Sequence, residues 1–499
     1  MKQSKLLNLV LILIIIFGIV IRFDIKDRPI RYDQGEFSYT ANLMDNHGYK
    51  YLDVVNNKPP GAYYLYIIFF KLFGNEISTL YLTTIISDIL VILLIFSISN
   101  HLFNKRVALL SAAIYSVLYL TFNFSWSGFL EIPMMVFTLF SVYLYLVALK
   151  KNSIILFFFS GILIGISFLI KQPGIIIFLT YLAYLFFLVF YKRMKLILGL
   201  KYFVSLFAGL LFIISLLFIY LIKLEIFSKF IYMVFYVSTT YGPSFSYKIN
   251  LILNILFAAL PFFVVLSLIC LIKIAKELDM RRLFLVLWFT PIVLFFIITK
   301  DFQPHYLIQL IPVLTIIISS VTYKIKPKTL LRNILSILII IFFTYNIFLI
   351  SVDIYEHHIN NKHYIDTGFL NNKYMLAYEQ DTWVNLDMQI KVVDFLLENI
   401  DEDDKIISTN PTYAYLINKT NNYRFAWVSP MTMKLSNNLQ DFNLYASQSK
   451  FLIYDSWEEY NLNKANKFLD CVKKNWHKED ISNQYIIIYR NTNKTACVS

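Results

Sequence analysis

Runs of apolar residues broken by short polar clusters recur along this 499-residue chain as far as about residue 351. Crossing about 30 Å of hydrocarbon takes roughly 20 apolar residues in a helix. On that measure the pattern predicts about eleven spans. They lie near residues 6–22, 77–99, 107–124, 130–149, 154–170, 174–190, 202–222, 250–272, 283–299, 305–322 and 332–351. The Lys171-Gln172-Pro173-Gly174 break reads as a tight hairpin or a kink, because Pro and Gly interrupt a helix in either case. The first run has a basic lead in Lys2 and Lys5 and no small-residue cleavage site, so it reads as an uncleaved span.

Two stretches depart from this pattern. Between the first two spans, residues 23–76 predict a short amphipathic helix from Phe37 to Asp45, with Phe37, Ala41 and Met44 on one side. An aromatic-rich interfacial helix follows from Gly61 to Phe73, and two prolines stiffen the turn that carries Lys58. From about Asp353 onward Asn, Asp, Lys and Tyr become frequent. Helical spacing at Ile390–Leu397 and around Leu462–Lys474, with strands at Lys405–Ser408, Phe451–Tyr454 and Tyr485–Tyr489, predicts a small α/β domain. The expected organisation is therefore a polytopic all-α membrane domain over 1–352 and a soluble domain over 353–499.

Composition removes other classes. With 58% hydrophobic and 15% charged residues and a mean hydropathy of +0.61, the chain cannot be one soluble globule. The net charge of +13 lies in short clusters between apolar runs, which fits membrane topology and not a nucleic-acid partner. Lys105-Arg106, Lys150-Lys151, Lys192 to Lys195, Lys273 to Arg282 and Lys324 to Lys328 fall in alternate loops, so the N-terminus is expected on the cytoplasmic side of the plasma membrane. The tail, with Cys471 and Cys497, is then extracytoplasmic; those two thiols are paired or free on this reading, while Cys270 lies in an apolar run.

The same orientation gathers Asp33, Glu36, Lys58, Glu131, Lys171, Lys300, Asp301, Gln303 and His305 toward the outer face. Each has a plain structural reading beside a chemical one. Lys171 and Lys300 suit snorkelling at helix ends, and Glu131 just before Pro133 suits a first helical turn, where a carboxylate favours the dipole. Asp33 and Glu36, three apart, would share a helix face or cap a helix. His357, His358 and His363 are close in sequence at the end of a span, which points only weakly to metal binding.

Taken together, Tyr32-Asp33-Gln34-Gly35-Glu36-Phe37, Asp53-Val54-Val55-Asn56-Asn57-Lys58-Pro59-Pro60-Gly61 and Leu72-Phe73-Gly74 resemble the first loop of GT-C membrane glycosyltransferases. The group in question contains the protein O-mannosyltransferases and the aminoarabinose transferase acting on lipid A. Leu130-Glu131-Ile132-Pro133, Ile170-Lys171-Gln172-Pro173-Gly174 and His305-Tyr306-Leu307-Ile308-Gln309-Leu310-Ile311-Pro312 follow in the expected order. The resemblance covers about residues 1–350. It implies inverting transfer of a sugar from a polyprenyl phosphate carrier to a protein, lipid or glycan acceptor, with Asp33 as the catalytic carboxylate. Where the family often has a second acid this chain has Gln34, so Glu36 either supplies the second carboxylate or the site works with one.

The residues suit that chemistry. A carboxylate can take the acceptor's proton, and a lysine, an arginine or a divalent ion can stabilise the departing phosphate. Lys58 is the first candidate for the phosphate, with Lys171, Arg28 and Arg31 behind it, and Glu131, His305 and Tyr306 as further substrate contacts. No GxGxxG or P-loop pattern is present, in keeping with a lipid-borne donor. A lipid-linked glycan polymerase or ligase is the nearest alternative. A transporter would place charges near mid-membrane and show matching halves, and the sequence has no internal repeat.

Overall fold

The computed structural model describes residues 2–23, 30, 32–53, 57–126, 128–237, 261–276, 279–299, 304–324, 329–359, 386–401, 403–418, 448–455, 468–481 and 486–492. The chain forms two compact units. Unit 1 comprises 1–25, 81–228 and 242–358; unit 2 comprises 26–80, 229–241 and 359–499. The first loop therefore groups with the C-terminal segment.

In chain order the helices are α1 (Lys2–Arg22), α2 (Tyr32–Asn46), α3 (Gly61–Phe73), α4 (Ile77–Leu102), α5 (Lys105–Val117), α6 (Tyr119–Trp126), α7 (Glu131–Lys151) and α8 (Ile154–Ile170). There follow α9 (Ile177–Phe190), α10 (Leu196–Lys223), α11 (Phe227–Ile231), α12 (Pro261–Lys276), α13 (Met280–Ile298), α14 (Ile311–Lys324) and α15 (Leu330–Ile359). Among the described residues eight segments are long and apolar enough to cross a membrane, and the bent pair α5–α6 makes a ninth. The expected run at 154–170 is the shorter apolar helix α8, and α12 covers the later part of the run at 250–272. The chain is an integral membrane protein: apolar side chains such as Leu9, Leu13 and Val20 on α1 and Ile197, Leu200 and Val204 on α10 are exposed, as they are where a helix faces lipid. By contrast 83% of the α14 span is buried, which makes it a central helix of unit 1.

Unit 1 contains a charged network that the apolar pattern concealed. Helices α5 and α6 meet at a 56° bend at Leu118. In hydrocarbon the backbone groups freed by a bend need internal partners. Ser116 O accepts from Arg22 Nη1 at 3.2 Å, and the Tyr119 N–H donates to Asn346 Oδ1 at 2.8 Å. Arg22 Nε also donates to Asp88 Oδ2 at 3.0 Å, and the Tyr115 hydroxyl donates to Asp88 Oδ1 at 3.0 Å. Ser125 completes the set on Asp88. Both charged side chains are fully buried.

Unit 2 carries α16 (Leu386–Asn399), β1 (Ile406–Ser408), α17 (Pro411–Leu416), β2 (Phe451–Asp455), α18 (Phe468–Asn475), β3 (His477–Lys478) and β4 (Ile486–Arg490). The sheet order is β1-β2-β4-β3. β1 runs parallel to β2, with Ile406 opposite Phe451, and β4 runs antiparallel to β2, with Arg490 opposite Phe451. Phe37, Tyr51, Tyr63, Tyr66 and Phe70 build an aromatic layer between α2 and α3, with ring centroids 6.1–6.4 Å apart. Cys471 is disulfide-bonded and Cys270 is a buried free thiol.

Breaking a buried pair on one side strands a charge at a cost of about 3–5 kcal/mol, whereas replacing both partners by apolar groups is often neutral. Asp88→Leu is therefore expected to lower the melting temperature of the purified protein, and Arg22→Met with Asp88→Leu to recover only part of the loss, because the Ser116 carbonyl then lacks its Arg22 partner. Thermal unfolding followed by tryptophan fluorescence would check both.

Candidate functional site

Within unit 1, three chain breaks meet at one polar cluster. Glu131 opens α7 and is fully buried, with Pro133 in the same first turn. Lys171 ends α8 in an extended conformation, φ −153° and ψ 137°, before a 3-10 turn from Gln172 to Ile176. That turn needs Gly174, since a Cβ there would lie 2.6 Å from the Ser167 carbonyl carbon. His305 lies in a second 3-10 turn, Pro304–Leu310, which leads into α14.

The Lys171 ammonium is paired with Glu131 Oε1 and lies 3.4 Å from His305 Nε2. It also sits 4.9 Å from the centroid of the Tyr306 ring. His305 Nε2 is 3.5 Å from Glu131 Oε1, and its ring stacks on Phe129 at 4.0 Å. Lys171 is only 4% exposed, so it is a buried cation and not a snorkelling one. Glu131 Oε2 has no hydrogen-bond partner among the described residues, leaving an acceptor open in a buried setting. Four candidates thus converge across a sequence separation of more than 170 residues. Phe129, which flattens His305 against the cluster, was not foreseen; an aromatic residue among so many carries no sequence signal.

Within unit 2, α2 begins at Tyr32, five residues earlier than the expected start, and so includes Asp33 in its first turn. Asp33 is half-buried, while Gln34 and Glu36 are buried. Three-residue spacing puts Asp33 and Glu36 on one helix face. Burial pushes the Tyr63 phenol well above its ordinary value, and the neighbouring Glu36 charge adds to the shift. Tyr66 is also raised, first by burial, then by Tyr415 and Asp33. Both phenols therefore remain protonated donors beside the two carboxylates at neutral pH.

The turn before α3 is fixed as the prolines suggested. The Tyr51 hydroxyl donates to Lys58 O at 2.8 Å, and Pro59 and Pro60 are buried. Lys58 itself is half-buried. Both amide atoms of Gln34, which stands where the resembled family often has an acid, are buried without a partner among the described residues. Arg31, Arg28, Lys300, Asp301 and Gln303 lie outside the described residues, as does His363. Among the described residues no group of three or more His, Cys, Asp or Glu side chains is placed to hold a metal ion.

Residues 57–219 match the family model described as dolichyl-phosphate-mannose-protein mannosyltransferase. No curated protein matches the chain significantly in sequence. In structure the chain is similar to ArnT from Cupriavidus metallidurans bound to undecaprenyl phosphate, with a TM-score of 0.65 at 12% identity over 98% of both chains. The apo form of that protein gives 0.67 at 12% identity over 99% of both chains. AglB, an oligosaccharyltransferase from the archaeon Archaeoglobus fulgidus, in complex with an inhibitory peptide and a dolichol-phosphate, gives 0.55 at 13% identity over 98% of this chain and 75% of the other. The chain therefore has the GT-C fold of membrane glycosyltransferases, and its residues 57–219 carry the mannosyltransferase family pattern.

Proposed function

We propose that this protein is an integral membrane glycosyltransferase that moves a sugar from a polyprenyl phosphate donor to an acceptor at the outer face of the plasma membrane, with inversion at the anomeric carbon. The observation that carries this reading is the match to ArnT over 98% of both chains, which extends through the C-terminal segment and was obtained with undecaprenyl phosphate bound to that relative.

The residues supply the parts such a reaction needs. Asp33, in the first turn of α2, takes the proton of the acceptor hydroxyl as its oxygen attacks the anomeric carbon. The bond from that carbon to the donor's phosphate oxygen breaks, and the electron pair leaves with polyprenyl phosphate. Lys58, held by a stiff turn, meets the negative charge that develops on the phosphate. Glu36, on the same helix face as Asp33, is a second carboxylate available to the acceptor. The Glu131–Lys171–His305 cluster presents an open carboxylate oxygen and an imidazole, groups suited to sugar hydroxyls. Tyr306 backs the lysine from the other side. The disulfide at Cys471 fits an oxidising, extracytoplasmic location for the C-terminal segment.

The main competing reading is transfer of a preassembled lipid-linked glycan, as by a polymerase or ligase.

A general base contributes about 10²–10⁴-fold. Asp33→Asn is expected to reduce release of polyprenyl phosphate from a polyprenyl phosphate sugar by that factor while leaving expression, membrane insertion and melting temperature unchanged; near-normal turnover would overturn the assignment. Lys171→Met is expected to behave differently. It strands the Glu131 carboxylate, so melting temperature and turnover should fall together, with a stability cost of about 3–5 kcal/mol.

A further inference from the structure

The carboxylate helix α2 is held at three points by residues from the far end of the chain. Ahead of the helix, Ile30 exchanges two hydrogen bonds with the Gln389 amide of α16: Ile30 N–H donates to Oε1 at 3.0 Å, and Nε2 donates to Ile30 O at 2.7 Å. In its first turn, Gly35 lies flat against α17. A Cβ at that position would fall 2.8 Å from both Cα and Cβ of Thr412 and closer still to its hydroxyl oxygen. Toward its last turn, Asn42 Nδ2 donates to Asn418 Oδ1 at 3.2 Å. Asn75, which donates to Asn42 Oδ1 at 2.6 Å, accepts from the Tyr415 hydroxyl at 3.1 Å.

The anchor is itself rigid. α17 starts from the end of β1, where the Asn410 side chain accepts from Thr412 N–H at 3.0 Å and Pro411 occupies the first turn. The Thr409 N–H donates to Ile453 O of β2 at 2.9 Å, which ties the start of α17 to the sheet.

We infer that the C-terminal segment sets the position of Asp33 and Glu36, with Gly35 and Thr412 as the positioning pair. This rests on the transferase reading for its effect on turnover, though not for the contact itself. Gly35 lies between the two carboxylates, so displacement of its backbone moves both. A shift of about 1 Å in a reacting group can cost about 10²-fold in rate.

Gly35→Ala separates this idea from simple flexibility. Alanine is the better helix former by about 1 kcal/mol, so an unclamped α2 would be stabilised by the change. In the full-length protein in lipid nanodiscs, Gly35→Ala should raise amide hydrogen exchange across residues 32–46 and lower the turnover number about 10²-fold, with the donor KM little changed. Adding Thr412→Gly should recover part of both. Unchanged exchange and turnover in Gly35→Ala, or a double variant no better than the single one, would overturn the clamp. If the unaltered protein released no polyprenyl phosphate from any donor, the transferase reading would fall, while the exchange measurements would still decide the clamp.

Discussion

A backbone polar group inside hydrocarbon must find its partner within the protein, and unit 1 is arranged around the places where its helices fail to provide one. The bend at Leu118 frees a carbonyl and an N–H, and Arg22 and Asn346 meet them. The guanidinium brought there then requires Asp88, which in turn takes hydroxyls from Tyr115 and Ser125. One irregularity in a helix thus accounts for a buried network spanning α1, α4, α5 and α6.

The second buried polar cluster of unit 1 lies at breaks between helices. Lys171 sits where α8 gives way to a 3-10 turn, His305 sits in the 3-10 turn that leads into α14, and Glu131 stands at the start of α7. Helix termini are the sites at which a membrane protein can expose dipoles and polar side chains to a substrate without breaking a regular span. A charge in the middle of a smooth helix, such as Asp88, is instead consumed by structural partners.

Much of this was legible from the residues. Uninterrupted Leu, Ile and Phe runs marked the spans because length and hydropathy are local properties, and the isoleucine runs Ile406-Ile407 and Ile486-Ile487-Ile488 marked strands for the same reason. Glu131 and Lys171 stood out as charges at the borders of apolar runs, and Asp33 as a carboxylate in the long first loop. What could not be read was adjacency: nothing local places residue 131 beside 171 and 305, nor α17 against α2. The six-residue helix α17 did have a signal in Asn410-Pro411, a capping side chain followed by proline, but so short an element has no hydrophobic period to confirm it. The early start of α2 was likewise hidden, since Asp33, Gln34 and Gly35 read as a loop until Thr412 is known to face them.

The contact between Gly35 and Thr412 also bears on how the protein is made. A ribosome adds about 5–20 residues per second, so roughly 20–75 s separate the synthesis of these two positions. During that interval the membrane spans can insert and α2 can pack on α3, yet the surface that Gly35 meets on α17 has not been made. The close fit of Gly35 on Thr412 is therefore a late contact, one that joins positions made far apart in time.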